Sequence, residues 1–89
     1  MAGLYFTASW CSVCKVMRPI IEQLQKEGYD IKIIDSDKEK KLVKRFRIES
    51  LPTTLIIQDD KEIDRFVGQI SADELRKRLT KKAPDYKIW

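Results

Sequence analysis

The chain has 89 residues, 43% of them hydrophobic and 36% charged, with a net charge of +4, two cysteines and no histidine. This length makes one small domain, and no apolar run approaches the ~20 residues needed to span a bilayer, so we expect no membrane partner. The first residues lack the basic and long apolar segments of a signal peptide, so we expect a cytoplasmic protein.

The first half of the chain predicts a β-α-β unit. Leu4–Ala8 form a short apolar run that predicts a buried strand, and Cys11–Lys26 predict a helix because apolar residues recur at helical spacing. Pro19 is expected to kink this helix and Gly28 to end it. Ile31–Asp35 predict a second strand, parallel to the first through a right-handed crossover. The apolar helix face is expected to hold Val13, Val16, Met17, Ile20, Ile21 and Leu24.

A short helix and two strands are predicted to follow. Asp37 is placed to cap the short helix, whose apolar residues are Leu42, Val43 and Phe46. Thr53–Gln58 and Glu62–Val67 predict a third and a fourth strand. Because only residues 59–61 separate these two strands, we expect an antiparallel hairpin.

The last helix has the clearest start signal in the chain. Ser71 and Glu74 have the spacing of a capping box, and Ile70 and Leu75 have that of a hydrophobic staple. Pro84 is placed to stop the helix. These features predict an amphipathic helix that closes the domain.

The predicted order of elements is β-α-β-α-β-β-α. It indicates an α/β fold with a four-stranded mixed sheet and helices on both faces. We assign residues 1–83 to this domain and residues 84–89 to a C-terminal tail. We expect the protein to be a monomer.

The densest basic run is Lys38–Arg47, which holds six cations and one acid. Such a run most often forms a solvated helix face. A nucleic-acid patch is the alternative, but no zinc module, RNA-binding signature or helix-turn-helix pattern accompanies it, so we expect no nucleic-acid partner. A positive field that favours acidic partner proteins is a third interpretation.

The two cysteines lie where the first helix begins. Unpaired amides and a partial positive charge at that terminus should stabilise a thiolate at Cys11, and Lys15 adds a cation, so the pKa of the Cys11 thiol should fall below ~8.5. Cys14 lies one turn away, close enough to form a bridge. We predict that Cys11 attacks a substrate disulfide and that Cys14 resolves the mixed disulfide. Ser12 and Val13 influence how the bridge fits the turn and so tune its reduction potential.

Three other interpretations of the cysteines are less favoured. A zinc site needs about four ligands, and the chain has no histidine and no third cysteine, so we expect no metal. A structural disulfide is rare in a reducing compartment, and closing so short a loop contributes only about 2 kcal/mol. Two inert core cysteines would not explain Trp10, because a large aromatic beside them suits a rim better than a small core. A Cys-x-x-Cys in a β-α-β context favours a redox dithiol.

Three segments resemble the thioredoxin family. The segment TASWCSVCKVMRP (residues 7–19) is similar to the active-site segment of that family, including the Trp before the first Cys. SLPTT (residues 50–54) resembles the loop that carries the family's cis-proline, and VGQIS (residues 67–71) resembles its glycine turn. The match runs in register over about Leu4 to Leu79, so the resemblance implies a thioredoxin-like fold.

The resemblance also implies a site and an activity. It implies a cis bond between Leu51 and Pro52, next to the cysteines, and strand-like pairing of a substrate with the backbone of Leu51, Pro52 and Thr53. Trp10 and Gly68 would line the same substrate groove. The implied activity is reduction of protein disulfides without a metal or organic cofactor, with electrons from a thioredoxin-reductase-like enzyme or from glutathione.

The chain departs from the thioredoxin pattern at two places in the site. Ser12-Val13 replaces the Gly-Pro between the cysteines, and Tyr5 stands where the family has a buried Asp that helps to deprotonate the second cysteine. Two alternative activities therefore remain: a glutathione-dependent glutaredoxin-like protein, whose compact architecture is similar, and a redoxin dedicated to ribonucleotide reductase. A non-catalytic thioredoxin-like binding module is the alternative from a different class.

Overall fold

A computed structural model describes residues 2–79 as a four-stranded mixed sheet with three helices. The sheet order is β2-β1-β3-β4; β1 and β2 are parallel, and the other pairs are antiparallel. The predicted fold and the order of its elements are confirmed. The predicted helix stop at Pro84 and the C-terminal tail lie outside the described residues. The elements are β1 (Ala2–Thr7), α1 (Ser12–Lys26), β2 (Ile31–Asp35), α2 (Lys40–Arg45), β3 (Thr53–Gln58), β4 (Lys61–Val67) and α3 (Ala72–Arg78).

The sheet separates two hydrophobic clusters, because successive side chains of a strand point to opposite faces. Tyr5 belongs to the cluster beneath α1 and α3, and its neighbour Phe6 belongs to the cluster on the side of α2. Helices therefore cover both faces, as the sequence predicts. The first cluster also holds Met17, Ile21, Leu24, Ile31, Ile56, Leu75 and Leu79, and the second holds Ile34 and Leu55.

Helix α1 turns a narrower face to the sheet than the sequence predicts. Its buried residues are Cys14, Met17, Ile21 and Leu24. The prediction that Val13 and Val16 belong to this face is wrong, since their side chains are 43% and 56% exposed. A stripe that starts at Cys14 and repeats every three or four residues already fills the contact with the sheet, so the adjacent valines point away from it.

Gly28 ends the turn that follows α1, as predicted. The N–H of Gly28 donates to the carbonyl of Gln25 and the N–H of Tyr29 donates to that of Leu24, both at 3.1 Å. These two bonds form a Schellman motif, which requires the left-handed backbone seen at Gly28 (φ 103°). Upstream, α1 runs through Pro19 as one helix.

Two strands have different bounds from those predicted. β1 covers Ala2–Thr7 instead of Leu4–Ala8, and Ala8 instead packs with the cysteines. β4 begins at Lys61, which pairs with Gln58, so the hairpin turn has only two residues. Those residues, Asp59 and Asp60, both have positive φ (54° and 65°), as a type I′ turn demands, and aspartate tolerates this conformation.

The helix caps confirm one prediction and overturn another. The Oγ of Ser71 accepts the N–H of Glu74 at 3.2 Å and so caps α3 as predicted. The prediction that Asp37 caps α2 is wrong, because that helix begins at Lys40 with Glu39 at its N-cap.

Among residues 2–79, no helix combines the length and the apolar character that crossing a bilayer requires.

Two neighbouring threonines at the start of β3 are buried in different ways, and this difference predicts opposite mutational effects. The Oγ1 of Thr53 donates to the carbonyl of Ser50 at 2.6 Å, whereas the Oγ1 of Thr54 has no hydrogen-bond partner among the described residues. We expect Thr54→Val to raise the free energy of unfolding by about 1 kcal/mol, and the matched Thr53→Val to lower it by about 1 kcal/mol. Urea denaturation measures both; destabilisation of similar size in the two variants would contradict the assignment.

Candidate functional site

Cys11 and Cys14 lie at the head of α1 and form a disulfide bond, with their Cα atoms 5.3 Å apart. Cys11 is the N-cap of the helix, and its Sγ accepts the backbone N–H of Cys14 at 3.2 Å. Cys11 is 7% exposed and Cys14 only 1%. Cys11 is therefore the more accessible of the two cysteines, while the order of attack expected from the sequence stays a prediction.

The surroundings of Cys11 favour a negative charge. The amides at the head of α1 are unpaired within the helix and carry its positive dipole end. The first turn contains no acidic residue to offset this field, and Lys15 lies exposed one turn along. Ser12 and Val13 are exposed between the two cysteines.

Trp10 stands beside Cys11 on the surface, with 68% of its area exposed. Its indole Nε1–H donates to the carboxylate Oδ2 of Asp37 at 3.0 Å, and the N–H of Asp37 donates to the Oδ1 of Asp35 at 2.9 Å. Asp37 therefore orients the indole instead of capping a helix. The only sequence signal for this role is that an indole N–H usually finds an acceptor; the sequence does not say which acceptor it is.

The segment of residues 50–54, called here the proline loop, contacts the cysteines through Leu51. The Leu51-Pro52 bond is cis, as the resemblance implies, and Leu51 packs against the cluster of Ala8, Cys11 and Cys14. Pro52 and Thr53 are buried, so Leu51 is the residue of these three that keeps partly exposed surface.

Gly68 is hydrogen-bonded to the proline loop. Its N–H donates to the carbonyl of Pro52 at 2.8 Å, and its φ of 89° lies in the left-handed region that favours glycine. The fold thus brings together the glycine turn, the proline loop and the head of α1, which are separate in the sequence.

Tyr5 lies directly beneath the cysteine pair. It is fully buried, and its hydroxyl donates to the backbone carbonyl of Cys14 at 2.8 Å. Burial raises the pKa of Tyr5 above its usual 10, although a hydrogen bond with Thr7 and the charge of Arg18 offset part of this rise. Tyr5 is therefore a neutral donor near pH 7 and does not act as a base.

A groove of about 570 Å³ opens beside Cys14. Its lining includes Thr7, Lys15, Arg18 and Asp35, which places charged groups close to that cysteine. Within residues 2–79, no group of three or more His, Cys, Asp or Glu side chains is arranged to hold a metal ion.

Comparison with known sequences identifies similar proteins. The family profile described as Thioredoxin matches residues 3–81. The chain is 36% identical over 77 residues to "Thioredoxin Y2, chloroplastic" of Arabidopsis thaliana, a match that covers 83% of this chain and 46% of that protein. It is 33% identical over 78 residues to a thioredoxin of Chlamydia trachomatis, covering 85% of this chain and 76% of that one. The chain thus spans less than half the length of the plant relative.

Solved structures show the same likeness. Thioredoxin 1 of Thermosipho africanus superposes with a TM-score of 0.74 at 33% identity, covering 84% of this chain and 85% of that one. A mutant thioredoxin from Halobacterium salinarum superposes with a TM-score of 0.82 at 24% identity, covering 88% and 70%. The second comparison shows the shared fold alone.

The contact between the Cys14 amide and the Cys11 sulfur predicts an acidic thiol. In a Cys14→Ser variant, Cys11 titrates alone while the amide at position 14 is kept. We expect the pKa of the Cys11 thiol to lie below ~8.5, because the head of α1 stabilises the thiolate. Thiolate absorbance at about 240 nm, followed against pH, measures this pKa, and the same variant unfolded in urea is the reference. A folded-state pKa at or above the unfolded value would contradict this prediction.

Proposed function

The chain belongs to the thioredoxin family, and we propose that it reduces disulfide bonds of protein substrates by thiol–disulfide exchange at Cys11 and Cys14. The observation that carries this proposal is the N–H of Cys14 directed at the Sγ of Cys11, in a disulfide-bonded Cys-x-x-Cys pair at a helix head. A thiolate held in this way is a nucleophile near neutral pH.

The exchange takes two steps. In the reduced protein, the Cys11 thiolate attacks one sulfur of the substrate disulfide; a new S–S bond forms at Cys11 and the other substrate sulfur leaves as a thiolate. The Cys14 thiolate then attacks the Sγ of Cys11, which releases the second substrate thiolate. The substrate gains two electrons, and the protein is left with the Cys11–Cys14 disulfide.

The second step requires Cys14 to lose its proton. Tyr5 cannot accept that proton, because it is already protonated and its hydroxyl is donated to the Cys14 carbonyl. We assign the exit route to the groove lined by Thr7 and Asp35, which adjoins Cys14. The proton then passes to solvent.

A substrate segment would bind on the surface around Cys11. We assign its strand-like pairing to the backbone at Leu51, Pro52 and Thr53, and its side-chain contacts to Trp10 and Gly68. The exposed Val13 and Val16 extend this surface along α1. Apolar contact there supports binding of a polypeptide disulfide over that of a small polar one.

The proposal extends to the working context of the protein. We propose a cytoplasmic monomer that uses no metal or organic cofactor and binds neither nucleic acid nor membrane. A reductase of the thioredoxin-reductase type is the proposed electron donor, with glutathione as the alternative. The thioredoxin relatives support a reductase donor. Tight adduct formation with glutathione and reduction by it would instead favour the glutaredoxin-like alternative, and a redoxin dedicated to ribonucleotide reductase is the remaining one.

Matched serine variants of the two cysteines test the assigned roles. We expect Cys11→Ser to abolish reduction of insulin by the protein with dithiothreitol, because the attacking thiolate is gone. We expect Cys14→Ser to form a long-lived mixed disulfide with insulin at Cys11, visible by mass spectrometry. An unaffected rate of insulin reduction in Cys11→Ser would contradict the enzyme function and favour the alternative of a non-catalytic binding module. An absence of adduct in Cys14→Ser would contradict the role of Cys14.

Tyr5 predicts a pH dependence for the second step. Because the raised pKa of Tyr5 keeps its hydroxyl protonated, Cys14 ionises only by its own titration, and its thiolate fraction rises about tenfold per pH unit below the thiol pKa. We expect the decay of the mixed disulfide in acid-quenched single turnovers to accelerate accordingly between about pH 6 and 8.

Two variants at the same position complete this test. Tyr5→Phe should keep the slope of the pH profile, since the hydroxyl is not a base, and should cost about 1 kcal/mol of stability for the lost hydrogen bond. Tyr5→Asp should flatten the profile by supplying a carboxylate. A flat profile in the unmodified protein that becomes steep in Tyr5→Phe would show that Tyr5 handles the proton.

A further inference from the structure

We propose that a pocket rich in arginine, next to the proline loop, selects protein substrates that carry carboxylates near their disulfide. The inference rests on the proposed function, because it concerns the substrates of that same site. The pocket encloses about 480 Å³, and its charged residues are Arg45, Arg47, Arg65, Glu49 and Glu62. We call it the arginine pocket.

The arginine pocket begins where the proposed substrate surface ends. Ser50 and Thr53, which flank the cis peptide bond, form part of its wall. Val67, which precedes Gly68, forms another part and is itself exposed. A segment bound along the proline loop would therefore place its next residues over the pocket.

Arg65 builds the wall of the pocket, and most of its hydrogen bonds are made within the fold. Its Nε and Nη2 donate to the two carboxylate oxygens of Glu62, at 2.6 and 2.8 Å. Its Nη2 also donates to the carbonyl of Phe46 at 2.5 Å, and its Nη1 to that of Arg47 at 3.3 Å. Arg65 thus fixes the backbone at residues 46–47 to β4 while Glu62 neutralises its charge.

Arg47 and Arg45 are the cations that remain for a ligand. Arg47 has a φ of 53°, a left-handed conformation that is uncommon outside glycine, and the bond from Arg65 holds its carbonyl. The guanidinium of Arg45 lies 5.1 Å from the centre of the Phe46 ring. Within residues 2–79, neither guanidinium forms an ion pair with a carboxylate, and both residues are exposed.

The charges of the pocket fit a carboxylate better than a polyphosphate. Three arginines and two glutamates leave a net charge of +1 in the lining, and the glutamates would repel a chain of phosphates. A guanidinium binds a single carboxylate through two parallel hydrogen bonds. The exposed lysines of α2, Lys40, Lys41 and Lys44, extend the positive field along the chain leading to Arg45 and favour the approach of an acidic protein.

Paired peptide substrates test this inference in the complete chain. Each has one internal disulfide, and the pair differs only in having glutamate or glutamine at the positions flanking it. We expect kcat/KM for the acidic peptide to exceed that for the neutral one by about fivefold at low ionic strength, and Arg47→Gln or Arg45→Gln to reduce the ratio to about twofold. The preference should fall in about 0.5 M NaCl, where such charges are screened.

Lys26→Gln is the matched control. It removes one exposed positive charge from the last residue of α1, about 20 Å along that helix from Cys11. We expect it to leave the acidic-to-neutral ratio unchanged. An equal fall in this variant would attribute the preference to overall charge and overturn the pocket.

The other outcomes separate this inference from the proposed function. Turnover of both peptides with a ratio of one would overturn the pocket while the reductase function stands. Turnover of neither peptide would contradict the function, and the pocket inference with it. Tight binding of a single-stranded oligonucleotide that is lost in Arg47→Gln would assign the pocket to nucleic acid and overturn the proposed selectivity.

Discussion

The N–H of Cys14, directed at the sulfur of Cys11, is the contact on which the chemistry of this chain depends. It exists because α1 begins immediately after the turn that leaves β1, which makes Cys11 the N-cap of the helix. A backbone amide cannot rotate away or lose its proton in the physiological range. The field at the sulfur is therefore built into the fold, while the side chains of Ser12 and Val13 are exposed between the cysteines.

Tyr5 joins the hydrophobic core to this site. It packs with α1 and α3 in the larger cluster, and its hydroxyl reaches the carbonyl of Cys14 at the same time. A carboxylate in this place could accept a proton but would have to be buried with its charge. Tyrosine avoids that cost, and its hydrogen bond holds the first turn of α1. It does not, however, provide a base that could take the proton from Cys14.

The surface around the cysteines divides into two parts of different chemistry. Trp10, Val13 and Val16 expose apolar area on the side of α1, whereas the pocket beyond the proline loop is lined by arginines and glutamates. Apolar contacts supply binding energy with little sequence preference, and oriented charges discriminate among partners. Such a division allows a protein to act on many disulfides and still prefer some of them.

The sequence by itself determined the order of the elements, the dithiol and the caps at Gly28 and Ser71, because each follows from residues a few positions apart. Only the tertiary structure decided three other features. Packing against the sheet decided which residues of α1 are buried, and it left Val13 and Val16 exposed. The hydrogen-bond acceptor of the Trp10 indole is Asp37, which lies 27 positions further along the chain. The backbone of Arg47 is in the left-handed region, and its carbonyl accepts a hydrogen bond from Arg65 of β4. These features depend on contacts between distant segments, which local periodicity and propensity do not encode.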